Sequence, residues 1–532
     1  MLPDINTLSL EEQVAQMFVV RASGHLFDHQ IEFPDWEPPI ATLKHWLSDL
    51  GVGGVILVGG SAGDLMLRSH ILQSHAKFPL LIAADVEEGV GQRFAGATWF
   101  APPMALSTIA QNDLAKAKEY AQQMGSAIAR ESLAVGLNWV LAPVVDVNNN
   151  PDNPVINVRS FGETPELVSE LTSSFIEGAQ QWPVLTCAKH FPGHGDTSVD
   201  SHLELPVLPH SAERLSEIEL PPFISAIAAG VDSVMSAHLL IQCWDADRPA
   251  TLSKKILTGQ LRQTLGFEGL IVTDALVMGA IAKRYGATEA PILALEAGAD
   301  ILLMPVDPKA AIQGICEAVK NGRVSAERIR TSVERIWQLK QKVSQKVVGD
   351  ECSVHSLTQL ATPAIMSTNA DILTNSQKVG GPLPLQPNPN QAGKKLSNLI
   401  VVDDVLRARY LGHHVPAIKI PKQFGYELEV IDQYISFAGL SDENEADLPK
   451  LVQVFIRGNP FRGSANLTKN IASTLQKMLQ QGRVQGLVCY GSPYIIESLL
   501  PKLKIDIPYV FSYGQMPTAQ EIALKTLFGL SS

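Results

Sequence analysis

Over the first 345 residues, short apolar runs alternate with longer amphipathic stretches. The runs are MFVV (17–20), GGVILVG (53–59), PLLIAADV (79–86), LNWVLAPVVDV (137–147), VLTCAKHF (184–191), VDSVMSAHLL (231–240), FEGLIVTDAL (267–276) and GADILLMP (298–305). Each is brief, rich in β-branched residues and nearly continuous, the pattern of a strand buried on both faces of a parallel sheet. Between them, Leu114 to Leu133, Leu215 to Ala229, Thr288 to Ala297 and Pro308 to Val319 place apolar residues at helical spacing. Eight strands separated by helices predict an α/β fold of the (β/α)8 barrel type. A doubly wound sheet is the alternative. It needs fewer strands or an internal split, and no Gly-rich dinucleotide turn follows the first strand. The GVGGV at 51–55 precedes a strand and reads as a helix-to-strand turn.

The segment 324–344 is amphipathic and reads as the helix that closes the barrel. Beyond it the pattern changes. VVGDEC (347–352) marks a boundary, residues 353–370 read as helical, and 375–396, which contains GGPLPLQPNPNQAG, reads as an exposed loop. A second α/β pattern follows. Strands are expected in LSNLIVVDDV (396–405), ELEVID (427–432), LVQVFIRG (451–458), QGLVCYG (485–491) and PYVFSYG (508–514), and helices at 467–481 and 518–529. The expected organisation is a catalytic barrel over 1–346, a linker helix and Pro/Asn-rich loop over 347–395, and a smaller α/β sandwich with a mostly parallel sheet over 396–532.

Composition narrows the function classes. A chain of 532 residues exceeds one ordinary core and suggests two or three domains. A net charge of −12 without any basic run argues against a nucleic-acid partner. Cys187, Cys243, Cys316, Cys352 and Cys489 are odd in number and scattered, with no CxxC, so neither a disulfide framework nor a zinc knuckle is expected. Cys187 and Cys489 lie in apolar runs and read as small buried hydrophobes. The N-terminal MLPDINTLSLEEQVAQMF lacks the basic and apolar regions of a signal peptide. No apolar run approaches the roughly 20 residues of a membrane span. A cytoplasmic enzyme without a membrane partner is expected.

Barrel enzymes place their chemistry at the C-terminal ends of the strands. There the third strand offers Asp85, Glu87 and Glu88, followed by Gln92 and Arg93. The fourth offers Asp146 and then NNNPDNPVINVRSFG, with Arg159 near its end. The fifth ends in Lys189 and His190, and its loop carries His194, Asp196, Asp200 and His202. The sixth ends in Ser236 and His238, the seventh in Thr273 and Asp274. Structural readings compete: Asp146 or Asp274 as a helix N-cap, His238 as a satisfied core histidine. Lys189, inside an apolar strand, needs an anionic or hydroxyl partner. In the loop GHGDTSVDSH (193–202), Asp200 and His202 flank one serine, and residues two apart in an extended loop project to the same side. A carboxylate there can orient an imidazole and favour its protonated form, and an imidazole can act as acid and then as base. The same residues could instead ligate a metal. Amidohydrolase barrels would want HxH after the first strand, whereas RASGHLFDH puts His25 and His29 four apart, so no metal or other cofactor is expected.

The run KHFPGHGDTSVDSHLELP (189–206) closely resembles the signature of family-3 glycoside hydrolases of the β-N-acetylglucosaminidase branch. DVEEGVGQRF (85–94) is similar to that family's acidic, Gly-rich segment, with Val86 where glutamine is usual. The segment 142–162, MSAHL (235–239) and VTDALVMGAI (272–281) match in order, so the resemblance spans residues 8–345. The later residues resemble the family's second domain in pattern only. The resemblance implies Asp274 as the nucleophile, His202 as general acid/base and Asp200 as its partner. It implies that Asp85, Arg93, Lys189 and His190 bind sugar hydroxyls and that Arg159 helps hold an N-acetylated sugar. The implied activity is hydrolysis of terminal β-linked N-acetylglucosamine, including muropeptide-type substrates from peptidoglycan turnover. A β-glucosidase of the same family, a β-N-acetylglucosaminide phosphorylase and a non-catalytic sugar-binding barrel remain the alternatives.

Overall fold

The computed structural model describes residues 2–197, 205–344, 354–385, 396–434, 449–458, 468–503 and 507–531. The chain divides into two compact units. The first comprises Met1–Pro103, Asp113–Asn150 and Arg159–Met366, and the second Met104–Asn112, Pro151–Val158 and Ser367–Ser532.

In the first unit, strands β1 (Phe18–Ser23), β2 (Gly54–Val58), β3 (Leu81–Ala84), β4 (Trp139–Val140), β5 (Cys187–Phe191), β6 (Ser233–Ser236), β7 (Leu270–Thr273) and β8 (Leu302–Leu303) coincide with the eight apolar runs. Five of them form a sheet in the order β8-β1-β2-β3-β4, and three form another in the order β5-β6-β7. Isolated parallel bridges Trp139↔Leu185 and Val272↔Ile301 join the two sheets at both seams. Pairing therefore runs around all eight parallel strands, as the hydrophobic pattern predicts for a barrel.

The surrounding helices begin where short polar side chains can accept the first free N–H groups. Ser61, Asp113, Thr164 and Asp307 each cap a helix in this way. Helices Leu114–Ala134 and Pro165–Ala179 cross closely because glycines stand at the contact. A Cβ on Gly125 would lie 2.1 Å from the Phe175 carbonyl oxygen, and one on Gly178 would lie 2.0 Å from that of Gln122. The helix expected over 215–229 is two helices, Ala212–Glu217 and Leu220–Ala228. Pro221 and Pro222 lack the N–H that a continuous helix needs and start the second one instead. GVGGV makes the expected turn, with Gly51 left-handed at φ 70° as it ends a helix.

The second unit holds a six-stranded sheet. Its strands are β9 (Lys378–Gly380), β10 (Leu396–Val402), β11 (Tyr426–Ile431), β12 (Lys450–Ile456), β13 (Val484–Gly491) and β14 (Tyr509–Ser512). Their order is β9-β14-β13-β12-β10-β11. All pairs are parallel except β9 with β14. Its core packs Ile400, Leu451, Phe455, Val488 and Val510 against Leu524 and Leu527 of helix Pro517–Phe528. β9 was not expected: three residues followed by Gly381 are too short to show a strand period. The helix expected at 353–370 is broken among the described residues into Val354–Leu357 and Pro363–Asn375. Ala361 at φ 45° and Pro363 interrupt it. Cys187 and Cys489 are buried as expected.

Candidate active site

The C-terminal ends of β3, β4 and β5 build one connected ion network. Lys189 is 1% exposed and could not be charged there alone. Its Nζ lies 2.7 Å from Asp85 Oδ1 and 2.6 Å from Glu87 Oε1. Burial works against its charge, but the two carboxylates outweigh it and raise its pKa. Arg159 donates from Nε and Nη2 to the two Glu87 oxygens, each at 2.8 Å. Burial would push the Glu87 carboxyl up, yet the charges of Arg159 and Lys189 hold it well below the usual carboxylate range. The half-exposed Asp85 is thus the outer member of a chain of alternating charges, and Arg93 Nε donates to its backbone oxygen at 3.2 Å.

A second network lies at the ends of β4 and β5. Asp146 accepts from the His190 backbone N–H (3.1 Å to Oδ1), from the His194 backbone N–H (2.7 Å) and, through Oδ2, contacts His190 Nδ1 at 2.8 Å. It is therefore no helix cap. It fixes the turn that leaves β5 and selects the protonated Nδ1 of His190, leaving Nε2 to face elsewhere. Burial opposes the Asp146 charge, but His190 and His194 lower its pKa nonetheless. Burial pushes the His194 imidazole down to about 4, so it is neutral at physiological pH. Its Nδ1 meets Thr197 Oγ1 at 2.7 Å. Gly195 is required here: a Cβ would lie 1.7 Å from the Val147 carbonyl oxygen.

Asp274 follows β7 and is half-buried, with Oδ1 accepting its neighbour's N–H from Ala275 at 2.7 Å. His238 is fully buried after β6. Its Nε2 points at the Ala275 carbonyl oxygen at 3.1 Å, and its Nδ1 meets Thr251 Oγ1 at 2.8 Å. A carbonyl only accepts, so Nε2 carries the proton. The core reading of His238 is the right one, and the residue it braces is the neighbour of Asp274.

Asp200 and His202 lie outside the described residues. Of the other expected site residues, Asp85, Lys189 and Arg159 share one network, His190 belongs to the second, and Arg93 is exposed at the rim. Glu87 organises the first network and Asp146 the second; the sequence placed both at strand ends, but it gave Glu87 no role and offered Asp146 only as a helix cap. Their signal was a carboxylate two residues beyond Asp85 and one at the end of the fourth apolar run. Among the described residues, Asp196, His210 and Glu219 come close enough to share a cation. Arg214 already fills that position, donating to Glu219 at 2.7 Å and to Asp196 at 3.3 Å.

A ring of eight parallel strands with carboxylates, a buried lysine and histidines gathered at its C-terminal ends defines an enzyme-type α/β barrel. Comparison with known proteins makes this specific. Residues 9–339 match the Glycosyl hydrolase family 3 N terminal domain and residues 389–529 the Bacterial Glycosyl hydrolase family 3 C-terminal domain. The chain belongs to glycoside hydrolase family 3. Beta-hexosaminidase A of Pseudoalteromonas piscicida is 34% identical over 391 residues, 66% of this chain and 64% of that protein. A protein of Cellulomonas fimi named beta-N-acetylglucosaminidase/beta-glucosidase is 33% identical over 55% of this chain and 52% of its own length. The chain thus spans between about half and two thirds of these curated relatives. The structure of a glycoside hydrolase family 3 beta-N-acetylglucosaminidase from Paenibacillus sp. str. FPU-7 superposes with a TM-score of 0.81 at 30% identity, covering 99% of this chain and 98% of that one. No described helix is long and apolar enough to cross a membrane.

Proposed function

We propose that this chain is a retaining exo-β-N-acetylhexosaminidase that removes terminal β-linked N-acetylglucosamine. The observation that carries the reading is Asp274, a half-buried carboxylate after β7 on the barrel face where Lys189, Asp85 and His190 are held by ion pairs. The similarity to proteins named beta-hexosaminidase supports the substrate class.

Glycoside cleavage passes through an oxocarbenium-like state. An Asp274 oxygen attacks the anomeric carbon while His202, charged and paired with Asp200, donates its proton to the glycosidic oxygen. The bond from carbon to that oxygen breaks, the leaving group departs as an alcohol, and a glycosyl ester forms. Water then attacks the same carbon and gives its proton to His202. The ester bond breaks, Asp274 regains its charge, and the sugar leaves with its configuration retained. Asp85, Lys189 and His190 hold sugar hydroxyls, Arg93 assists at the rim, and Arg159 helps hold the N-acetylated sugar. Muropeptide-type fragments in the cytoplasm are the substrate source this reading favours.

Trapping with a 2-acetamido-2-deoxy-5-fluoro sugar, followed by peptide mass spectrometry, tests the nucleophile. A label on the peptide bearing Asp274 is expected, and a label elsewhere contradicts the assignment. Asp274→Ala should abolish p-nitrophenyl β-N-acetylglucosaminide cleavage. The Cellulomonas fimi relative's double name keeps a β-glucosidase reading open. Faster turnover of the glucoside than of the N-acetylglucosaminide would favour it, and phosphate-dependent release of a sugar phosphate would favour phosphorolysis.

A further inference from the structure

We propose that the loop after β1 is a subsite for a neutral sugar on the leaving-group side of the scissile bond, with Trp36 and Phe33 as its stacking platform. The inference rests on the exo-glycosidase reading above. In an exo-enzyme the terminal sugar fills the barrel mouth, so the rest of the substrate must leave across the rim.

The loop's surface is unusual for this protein. Among the described residues, every exposed phenylalanine or tryptophan lies within it: Phe27 at 57%, Phe33 at 42% and Trp36 at 41%. Single exposed apolar side chains are ordinary, whereas a cluster of aromatic ones marks a contact surface. These rings are also held in place. Phe33 and Trp36 are stacked, with centroids 6.2 Å apart and planes 16° from parallel. The Arg21 guanidinium, rising from β1, lies 5.2 Å from the Phe33 centroid and 5.3 Å from that of Trp36. Arg21 is itself fixed by Glu37, whose buried Oε1 accepts from its Nη2 at 2.8 Å and its Nε at 3.2 Å. A turn sets the ring spacing, since the Trp36 and Glu37 N–H groups both bond the Phe33 carbonyl. At the far end, Asp28 accepts the Ile40 N–H at 3.0 Å and ties the loop shut.

The loop that carries the platform meets the site at its start, through a chain of contacts. Gly24, at the start of the loop, packs so tightly that a Cβ would lie 2.2 Å from the Gly59 carbonyl oxygen and 2.7 Å from the Phe94 ring. Phe94 follows Arg93, which binds the Asp85 backbone, and Asp85 pairs with Lys189. The loops after β1, β2 and β3 thus form one continuous rim beside the sugar-binding network. A rigid pair of near-parallel rings suits the flat C–H face of a pyranose: the electron-rich π-faces attract the weakly positive C–H groups, and little side-chain entropy remains to be lost. Glu37 neutralises Arg21, so the platform engages a sugar through its C–H face and not through charge.

Steady-state kinetics on the full chain tests this. Trp36→Ala and Phe33→Ala should each lower kcat/KM about three- to tenfold on β-1,4-linked N-acetylglucosamine trimers and tetramers, the size of one aromatic stacking contact. Neither should change it for methyl β-N-acetylglucosaminide, whose leaving group is too small to reach the rings, and Trp36→Phe should recover part of the loss. Equal effects on both substrates, or none on the oligomers, overturn the subsite. Titration calorimetry with the trimer on Asp274→Asn protein reads the platform without turnover. A weaker Kd in Asp274→Asn/Trp36→Ala supports it, and an unchanged Kd overturns it. Absence of turnover in the wild type would count against the proposed activity instead, leaving the binding result to judge the platform.

Discussion

The Glu87 carboxylate and the Arg159 guanidinium form a two-pronged pair, with both contacts at 2.8 Å. Oε1 of the same carboxylate also takes Lys189 Nζ at 2.6 Å. Glu87 therefore compensates two cations, and removing its charge leaves them facing each other. Glu87→Gln should cost about 3 kcal/mol of stability, the usual result of breaking a buried pair from one side. It should also lower kcat/KM at least tenfold, because Lys189 and Arg159 lose their common anchor. Urea unfolding and steady-state assays check both. A variant as stable and active as the wild type would remove Glu87 from the organisation of the site.

The barrel was legible because its strands are buried on both faces and so appear as unbroken apolar runs at regular intervals. All eight coincide with β1 to β8. Breaks set by backbone chemistry were harder to see: the apolar period continues through Pro221 and Pro222, but the helix does not. Lys189 was legible as a buried charge in need of a partner, and it has two. What the linear pattern does not encode is which partner. Glu87 and Arg159 are 72 residues apart and Asp146 and His190 are 44 apart, so their pairing appears only when strand ends come together. The aromatic platform at 27–36 was missed because Phe27, Phe33 and Trp36 look like core residues by type and reveal themselves only by exposure.

His194 predicts a loss of stability in mild acid. Burial holds it near 4 in the folded protein, against about 6.5 for a free imidazole. Between those values the unfolded chain binds a proton that the native state refuses, so stability falls as pH drops through this window. The full loss is on the order of 3 kcal/mol. His194→Gln lacks the titrating group. The stability difference between wild type and this variant should therefore move by that amount, against the wild type, from pH 7 to pH 4. Parallel urea titrations at the two pH values read it, and a difference independent of pH would contradict the buried neutral imidazole.

Asp300 predicts a purely structural defect. It is fully buried and faces three guanidinium groups: Arg262 at 2.7 Å, Arg328 at 3.2 Å and Arg335 at 3.3 Å. It also accepts the Ile271 N–H at the start of β7 and the Ser332 hydroxyl. Asp300→Ala would leave three like charges without their anion and should cost about 3–5 kcal/mol. Each arginine has further partners or partial exposure, so Arg335→Ala alone should cost less than about 1 kcal/mol. Thermal unfolding of both variants checks the contrast, and equal losses would show that the cluster is not organised around the carboxylate.

Lys340 predicts a substitution that changes sign with pH. It is 1% exposed, lies 5.4 Å from the Trp337 ring centroid and donates to Gln16 Oε1 at 2.7 Å. Burial lowers its pKa to about 7 from the ordinary 10.5. Below pH 7 both folded and unfolded states carry the charge, and the folded state bears the full desolvation penalty, on the order of 5 kcal/mol. From 7 to 10.5 the unfolded chain holds a proton that the native protein has released, so the penalty fades as pH rises. Lys340→Met removes the charge but leaves Gln16 Oε1 without its donor, a cost of about 1–3 kcal/mol. The variant should thus be more stable than the wild type by about 2 kcal/mol at pH 6, and should lose that advantage as the pH approaches 10. Urea midpoints of the two proteins across this range decide the matter. A Lys340→Met protein that is less stable at pH 6 would mean that the Gln16 hydrogen bond outweighs the buried charge.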